Sequence, residues 1–321
     1  TVYNGGESVK YDITALGEIL IDFAPVGKDS FGDTVFARKA GGAPLNLLAT
    51  VSKYGGKAAF IGKVGKDMFG DFLHKTLTEC GISDTGLKID PLHNTTLAFV
   101  DLDENGDRSF SFYRNLSADI SLERSDINEE LISNSGIFHF GSLSLTDEPA
   151  RSATEYAVNA AKKSGALITY DPNYRPALWK DADTAVKMMK KHLSKVDILK
   201  ISKEELEMMF GIDREAAVKR LFYTGVKIIL VTDGANGASL YMNGFDVSLP
   251  AAKVKTVDTT GAGDIFFGTF ISEWIKNGSD IDSIKPQTAA EFLKKAIEVS
   301  GKSTEKYSAI ASIPNYERNE R

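Results

Sequence analysis

Along most of the chain, short apolar runs alternate with longer amphipathic ones. The apolar runs are YDITALGEILIDF (11–23), AAFIGKV (58–64), GIFHFGS (136–142), ALITYDPN (166–173), DILKIS (197–202) and KIILVTDG (227–234). Their length and bounding turn residues predict buried strands. Between them, NLLATVSKYG, DFLHKTLTECG, ARSATEYAVNAAKKSG, AVKMMKKHLSKV and EAAVKRLFYTG carry apolar positions at helical spacing. Several of these end on glycine, the residue that most easily adopts the left-handed backbone closing a helix. Strands alternating with helices build right-handed β-α-β units, so the pattern predicts an α/β fold with a mostly parallel central sheet flanked by helices. Ligands of such sheets bind beyond the carboxyl ends of the strands. The polar residues at those ends, in DPN, SKEE and TDG, are therefore the first candidates for function.

One region departs from the alternation. TTLAFVDLDENGDRSFSFYR (95–114) reads as two extended arms joined at Asn105-Gly106, a strong hairpin signal. The run TALGEILIDF is long for one core strand, and 24–40 is rich in turn residues. Together, about 11–40 and 95–114 predict a small β-layer projecting from the main sheet and placed to act as a lid. A second hairpin is expected at Asn243-Gly244, closing the sheet's far edge. No composition break divides the chain, so residues 1–321 are expected to form one α/β domain with this appendage.

Composition narrows the classes. A net charge of −6 argues against a broad surface for nucleic acid or anionic membrane. Cys80 is the only cysteine, which excludes an internal disulfide and any cysteine-cluster metal site. The opening TVYNGGESVKYD lacks the pattern of a signal peptide, and no apolar stretch has the length of a membrane span. A cytoplasmic setting is the expectation.

Three motif matches fail. DLDENG (101–106) opens like a calcium loop, but Phe112 stands where the closing glutamate belongs. SGKS (300–303) ends like a Walker loop, but Ala296 replaces its first glycine and a helical segment precedes it. The four histidines, 74, 93, 139 and 192, show no metal-ligand spacing.

DTTGAGD (258–264) stands. Apolar residues at 266, 267, 270, 271 and 274 predict a buried helix beginning next to Asp264. A helix N-terminus carries unpaired N–H groups and the positive end of the helix dipole. Gly261, Ala262 and Gly263 would leave such groups open to an anion such as phosphate. A carboxylate repels phosphate, so Asp264 makes chemical sense there as a base taking the proton of an attacking alcohol. The plainer explanation, an acidic residue favoured in a first helical turn, loses ground to a second segment. GGAPLN (41–46) begins with paired glycines and a proline and brings Asn46, both donor and acceptor for hydroxyls, to a helix start.

Both segments, in this order and with the hairpin between them, resemble the two signature regions of the ribokinase-like, or pfkB-type, carbohydrate kinases. The resemblance runs from ALGEILIDF to SAIASIPN, nearly the whole chain. It implies a Rossmann-like domain with a β-sheet lid, and ATP-dependent phosphorylation of a sugar hydroxyl with Mg²⁺. Matched position by position, Asp264 is the general base and Gly261, Ala262 and Gly263 form the anion hole. Asp22, Gly41, Gly42 and Asn46 match sugar contacts. VTDGANG matches the nucleotide segment and assigns Thr232, Gly234 and Gly237 to ATP. SKEE falls where many members carry N-x-x-E. Glu205 is kept as an organiser of Mg²⁺ through water, and Ser202 replaces the asparagine on the phosphate side. Asp258 and Thr260 match a monovalent-cation loop, with Ser312 as a further ligand of K⁺; members differ in using it. Relatives also pair through the lid, which implies a homodimer.

Within the family, FSFYRNLSAD (110–119) and DPNYRPALW (171–179) are most like fructokinases and 2-keto-3-deoxygluconate kinases. Phe112, Arg114, Asn173 and Arg175 become candidate sugar contacts. Guanidinium binds hydroxyls but pairs best with a carboxylate, so the arginines suit either substrate. GEILIDF and GGAPLN read more like fructokinases, which makes D-fructose the expected sugar. The keto acid is one alternative, and a non-catalytic sugar- and nucleotide-binding regulator is another.

Overall fold

A computed structural model describes residues 3–4, 7–8, 10–102 and 108–315. Ahead of the main body, β1 (Tyr3–Asn4) pairs with β2 (Glu7–Ser8). The main sheet is built from β3 (Tyr11–Leu16), β6 (Ala58–Gly65), β7 (Ser83–Asp90), β10 (Ser135–Gly141), β11 (Leu167–Asp171), β12 (Ile198–Ser202), β13 (Ile228–Thr232), β14 (Ala238–Met242) and β15 (Phe245–Leu249). Its order is β15-β14-β13-β12-β11-β10-β3-β6-β7. The seven strands from β13 to β7 run parallel, and β14 and β15 add an antiparallel edge turned at Asn243-Gly244.

Both faces are covered, which is why the central strands read as continuous apolar runs. Every residue of β10 is buried. On one face α1 (Ala43–Lys53), α2 (Met68–Glu79), α8 (Ala262–Asn277) and α9 (Pro286–Ser303) pack a core that includes Leu45, Leu73, Phe267 and Leu293. On the other, α3 (Glu129–Ser133), α4 (Ala150–Ser164), α5 (Ala182–Lys191), α6 (Lys203–Phe210) and α7 (Arg214–Thr224) enclose Leu131, Ala157, Met189, Leu206 and Leu221. No helix of the described residues is long and apolar enough to cross a membrane.

A separate four-stranded sheet has the order β5-β4-β8-β9, from β4 (Leu20–Lys28), β5 (Thr34–Gly41), β8 (Leu97–Leu102) and β9 (Arg108–Tyr113). The run 11–23 is therefore two strands. Residues 11–16 lie in the main sheet, between β10 and β6, and only from Leu20 does the chain enter the small sheet. The break falls at Gly17–Ile19, inside a stretch in which every residue from 13 to 21 is buried, so the change of sheet leaves no gap in burial. The turn at Asn105-Gly106 lies outside the described residues; the arms it was expected to join pair antiparallel, Leu97 opposite Tyr113. Edge strand β7 and helix α6 escaped the sequence reading. β7 is mostly half-exposed and carries no apolar run.

Strand order reverses at β3, whose neighbours β10 and β6 lie on either side. The crevice of an α/β sheet forms at such a point. Here the chain leaves β3 for the small sheet and returns through β5 directly into α1. That path brings Asp22, Gly41 and Asn46 to the carboxyl ends of the strands.

Candidate active site

The site is organised by the first turn of α8. Gly261 caps the helix at φ 75, a left-handed conformation, and an added Cβ there would collide with Ala309. Ala262 turns its N–H back to the Thr259 carbonyl at 3.1 Å. Asp264 follows in the first turn and is 8 % exposed. Burial pushes its carboxyl above the usual range, while the Asn46 hydrogen bond, Lys200 and Arg175 pull it back.

Asn46, near the start of α1, donates Nδ2–H to Asp264 Oδ2 at 2.8 Å. Among the described residues, its Oδ1 has no hydrogen-bond partner, although it is buried. An unpaired buried acceptor is costly unless a ligand hydroxyl answers it.

Asp22 joins this group from the small sheet. Burial above all raises its carboxyl to about 6, with the charges of Asp264 and Asp258 adding to the rise and Arg175 and Lys39 opposing it. Gly41 makes room for it, because an added Cβ would fall on the Asp22 carboxylate. Gly42 has a different reason: φ is 112, and a Cβ would stand 2.5 Å from the Glu18 carbonyl oxygen. Glu18 Oε1 accepts the Ala43 N–H at 3.0 Å and so caps α1. Burial raises the Glu18 carboxyl to about 7.

A buried ion pair escaped the sequence reading. Lys200 on β12 donates to Asp171 Oδ2 at 2.9 Å, with both side chains under 10 % exposed. A lysine inside the apolar run DILKIS was the available signal, since a buried lysine requires a counter-charge. Burial raises the Asp171 carboxyl to about 7, against the pull of Lys200. Asn173, at φ 47, donates its N–H to Asp171 Oδ1 at 3.2 Å.

Glu205 and Ser202 form a capping box on α6, Ser202 N–H to Glu205 Oε2 at 2.8 Å and Glu205 N–H to Ser202 Oγ at 3.1 Å. The other oxygen of Glu205 accepts the Tyr174 N–H at 2.6 Å. Glu205 thus ties the loop carrying Arg175 to α6.

Arg114 takes a different place from the one its neighbourhood suggests. It is 6 % exposed and donates to Asp119 (2.7 Å), Thr146 Oγ1 (2.8 Å) and the Leu143 carbonyl (3.0 Å). The guanidinium clips the segment after β9 to the segment after β10. Phe112 lies opposite Ala98, which in turn lies opposite Asp22, so all three share one face of the small sheet.

A cavity of about 390 Å³ opens beside Asp22, lined also by Lys39, Val100, Asp258, Tyr307 and Ala309. Asp258 accepts the Thr260 N–H at 2.7 Å and the Ser308 N–H at 3.1 Å, and so joins the loop before α8 to the C-terminal segment. Ser312 Oγ donates to the Ala309 carbonyl at 2.9 Å in that segment.

On the other side of Gly263 lies a cavity of about 520 Å³, lined by Thr232, Gly234, Gly237, Val254, Phe266 and Ile297 among others. Gly237 lies so close to Leu249 that no side chain fits, and a Cβ on Gly301 would come within 2.6 Å of Ala252. The walls are largely apolar, as a base-binding pocket requires.

The loop leading into α8 and its first turn thus line two cavities, one through Asp258 and Thr260 beside Asp22, the other through Thr259, Ala262 and Gly263. Against known families, residues 10–315 match the model of the pfkB family carbohydrate kinases. The chain belongs to that family. Among curated pfkB-family relatives, Fructokinase-1 of Zea mays is 40 % identical over 306 residues, covering 94 % of each chain. Among solved structures, fructokinase from Xylella fastidiosa with bound ATP superposes with a TM-score of 0.86 at 30 % identity, covering 95 % of each chain. A double mutant of fructokinase from Vibrio cholerae O395, bound to fructose, ADP and potassium ion, superposes at 0.84 with 30 % identity, covering 96 % of this chain and 97 % of that one.

Proposed function

We propose that the protein is an ATP-dependent fructokinase in which Asp264 is the general base. The observation that carries this reading is the buried Asp264–Asn46 pair, at the start of a helix whose first turn lines one cavity and whose leading loop lines another that holds Asp22 and Asp258. Fructose would lie against Asp22, Gly41 and Asn46, its hydroxyls donating hydrogen bonds to Asp22 and to Asn46 Oδ1. Phe112 lies on the same face of the small sheet as Asp22, which lets that sheet serve as a lid. Asp264 takes the proton of the attacking hydroxyl. The raised proton affinity of the buried carboxyl suits that task. Arg175, near Asp22 and Asp264, supplies positive charge on the sugar side. The N–H groups of the α8 first turn, Gly263 foremost, would hold the transferring phosphoryl group.

The adenine of ATP fits the cavity bounded by Gly237 and Phe266, with Thr232 and Gly234 toward the phosphates. Mg²⁺ bound with ATP neutralises phosphate charge. Glu205 holds the Arg175 loop and adds negative charge close to Lys200, which suits it to the ion's water shell. Asp258, Thr260 and Ser312 bring oxygen donors, which suit a hard cation such as K⁺. Phe36 and Tyr113 on the small sheet are 40 % and 66 % exposed, which supports a homodimer through that sheet. A cytoplasmic setting, favoured by ATP use and a single thiol, belongs to the same proposal.

The test is ADP release with D-fructose, 2-keto-3-deoxygluconate, ribose and adenosine at fixed ATP. D-Fructose should give the highest kcat/KM. Preference for the keto acid would replace fructose but keep the kinase; no turnover with any of the four, despite sugar and nucleotide binding, would make the protein a regulator.

A further inference from the structure

We propose that Lys200 is a catalytic residue of this site, its ammonium group binding the transferring phosphoryl group beside the first turn of α8. The inference rests on the kinase reading above and adds to it a residue that neither signature motif contains.

Three observations carry it. Lys200 Nζ faces Gly263: a Cβ placed on that glycine would stand 3.0 Å from the nitrogen. Gly263 also lines the 520 Å³ cavity, so the ammonium group lies against a residue of that cavity's wall and within electrostatic reach of the Asp264 carboxylate. An ammonium carries three N–H donors, and the only hydrogen-bond partner of Nζ among the described residues is Asp171. Donors therefore remain for a ligand. Finally, Asp171, Glu205 and Asp264 all lie close enough to hold the lysine protonated although it is fully buried. An ion pair kept only for packing gains little, because two charges lose their hydration. A fixed cation beside a phosphate site has a use instead.

In the transfer, the sugar oxygen forms a bond to the γ-phosphorus while the bond from that phosphorus to the β–γ bridging oxygen breaks. The electron pair of the broken bond leaves on ADP, and the hydroxyl proton goes to Asp264. Lys200 gives up no proton. It keeps its charge throughout and opposes the negative charge on the phosphoryl oxygens, which would otherwise meet Asp264, Asp171 and Glu205 unscreened.

The experiment compares the full-length protein with Lys200→Met and Lys200→Arg. Melting temperature, binding of ADP, binding of D-fructose, and binding of ADP with tetrafluoroaluminate (a phosphoryl mimic) are measured beside kcat. Lys200→Met should bind ADP and fructose within about threefold of wild type. Its kcat should fall by about 10²–10³, the usual loss for one preorganised donor. Tetrafluoroaluminate should no longer tighten ADP binding, and Lys200→Arg should restore part of both. Because Lys200→Met leaves Asp171 buried without its partner, a Lys200→Met/Asp171→Asn double variant is made in parallel and should show the same loss of kcat. A double variant with wild-type turnover would overturn the proposal and leave Lys200 as a counter-charge for Asp171. So would a folded Lys200→Met within fivefold of wild-type kcat. These outcomes differ from failure of the kinase reading, in which the wild type itself turns over no sugar.

Discussion

Asn46 on α1 and Asp264 on α8 share a 2.8 Å hydrogen bond across 218 residues of chain. The bond fixes one carboxylate oxygen and leaves Asn46 Oδ1 buried, with no partner among the described residues. If Asp264 is the base and Asn46 meets the sugar, as proposed, Asn46→Ala removes the restraint on the base and a hydroxyl acceptor together. A hydrogen bond to a charged group contributes about 1.5–3 kcal/mol, so kcat/KM for fructose should fall by roughly 10–100-fold, with kcat reduced as well as KM raised. Steady-state kinetics check it; unchanged kcat would show that Asp264 needs no orientation from Asn46.

Gly41 admits Asp22. In Gly41→Ala the new methyl group occupies the space of the Asp22 carboxylate, which must rotate away. The fructose KM should rise steeply, as in Asp22→Ala, and the double variant should be no worse than the poorer single one. Neighbouring residues acting through one contact are not additive. Additive losses would mean that Gly41 meets the sugar independently of Asp22.

Arg114 should report on stability. Arg114→Ala leaves Asp119 buried without its guanidinium, and breaking such a pair costs about 3–5 kcal/mol. The expected result is a clearly lower denaturation midpoint with the fructose KM of the folded protein little changed. A large KM change at wild-type stability would return Arg114 to the sugar.

Glu18 supplies a pH test of the fold. Its carboxyl titrates near 7 in the native chain and near 4.5 when unfolded, so between those values the native state holds the proton longer. Stability contributed by this group is present below about pH 4.5 and is lost as pH rises to about 7. Glu18→Gln keeps an oxygen for the Ala43 N–H without the charge. Its melting temperature should exceed that of wild type at pH 8 and converge with it near pH 4.5. A variant less stable at both values would mean that the ionised carboxylate is the better cap.

Much of this was legible in the chain. Period and length of the apolar runs revealed most strands of the main sheet, because strands buried on both faces are mostly apolar. The same rule concealed the split at Gly17–Ile19, where apolar residues on both sides of Gly17-Glu18 read as one strand. DTTGAGD and GGAPLN pointed to the site, but local sequence could not show that Gly41 yields space to Asp22 rather than to a ligand. Nor could it separate Arg114 from Arg175. One clips two loops through Asp119 and Thr146, the other lies near Asp22 and Asp264, and only the folded path of the chain distinguishes them. Lys200 stayed hidden because its strand reads as core and its partner Asp171 lies 29 residues away.

The central claim is that Asp264 is the base for phosphorylation of fructose. The most direct measurement is turnover of Asp264→Asn with D-fructose and saturating MgATP, alongside fructose and ADP affinities. The amide keeps the shape of the side chain but cannot take the hydroxyl proton. The account predicts a kcat lower by about 10²–10⁴ with both affinities nearly unchanged. A folded Asp264→Asn protein that retains most of its turnover would contradict it.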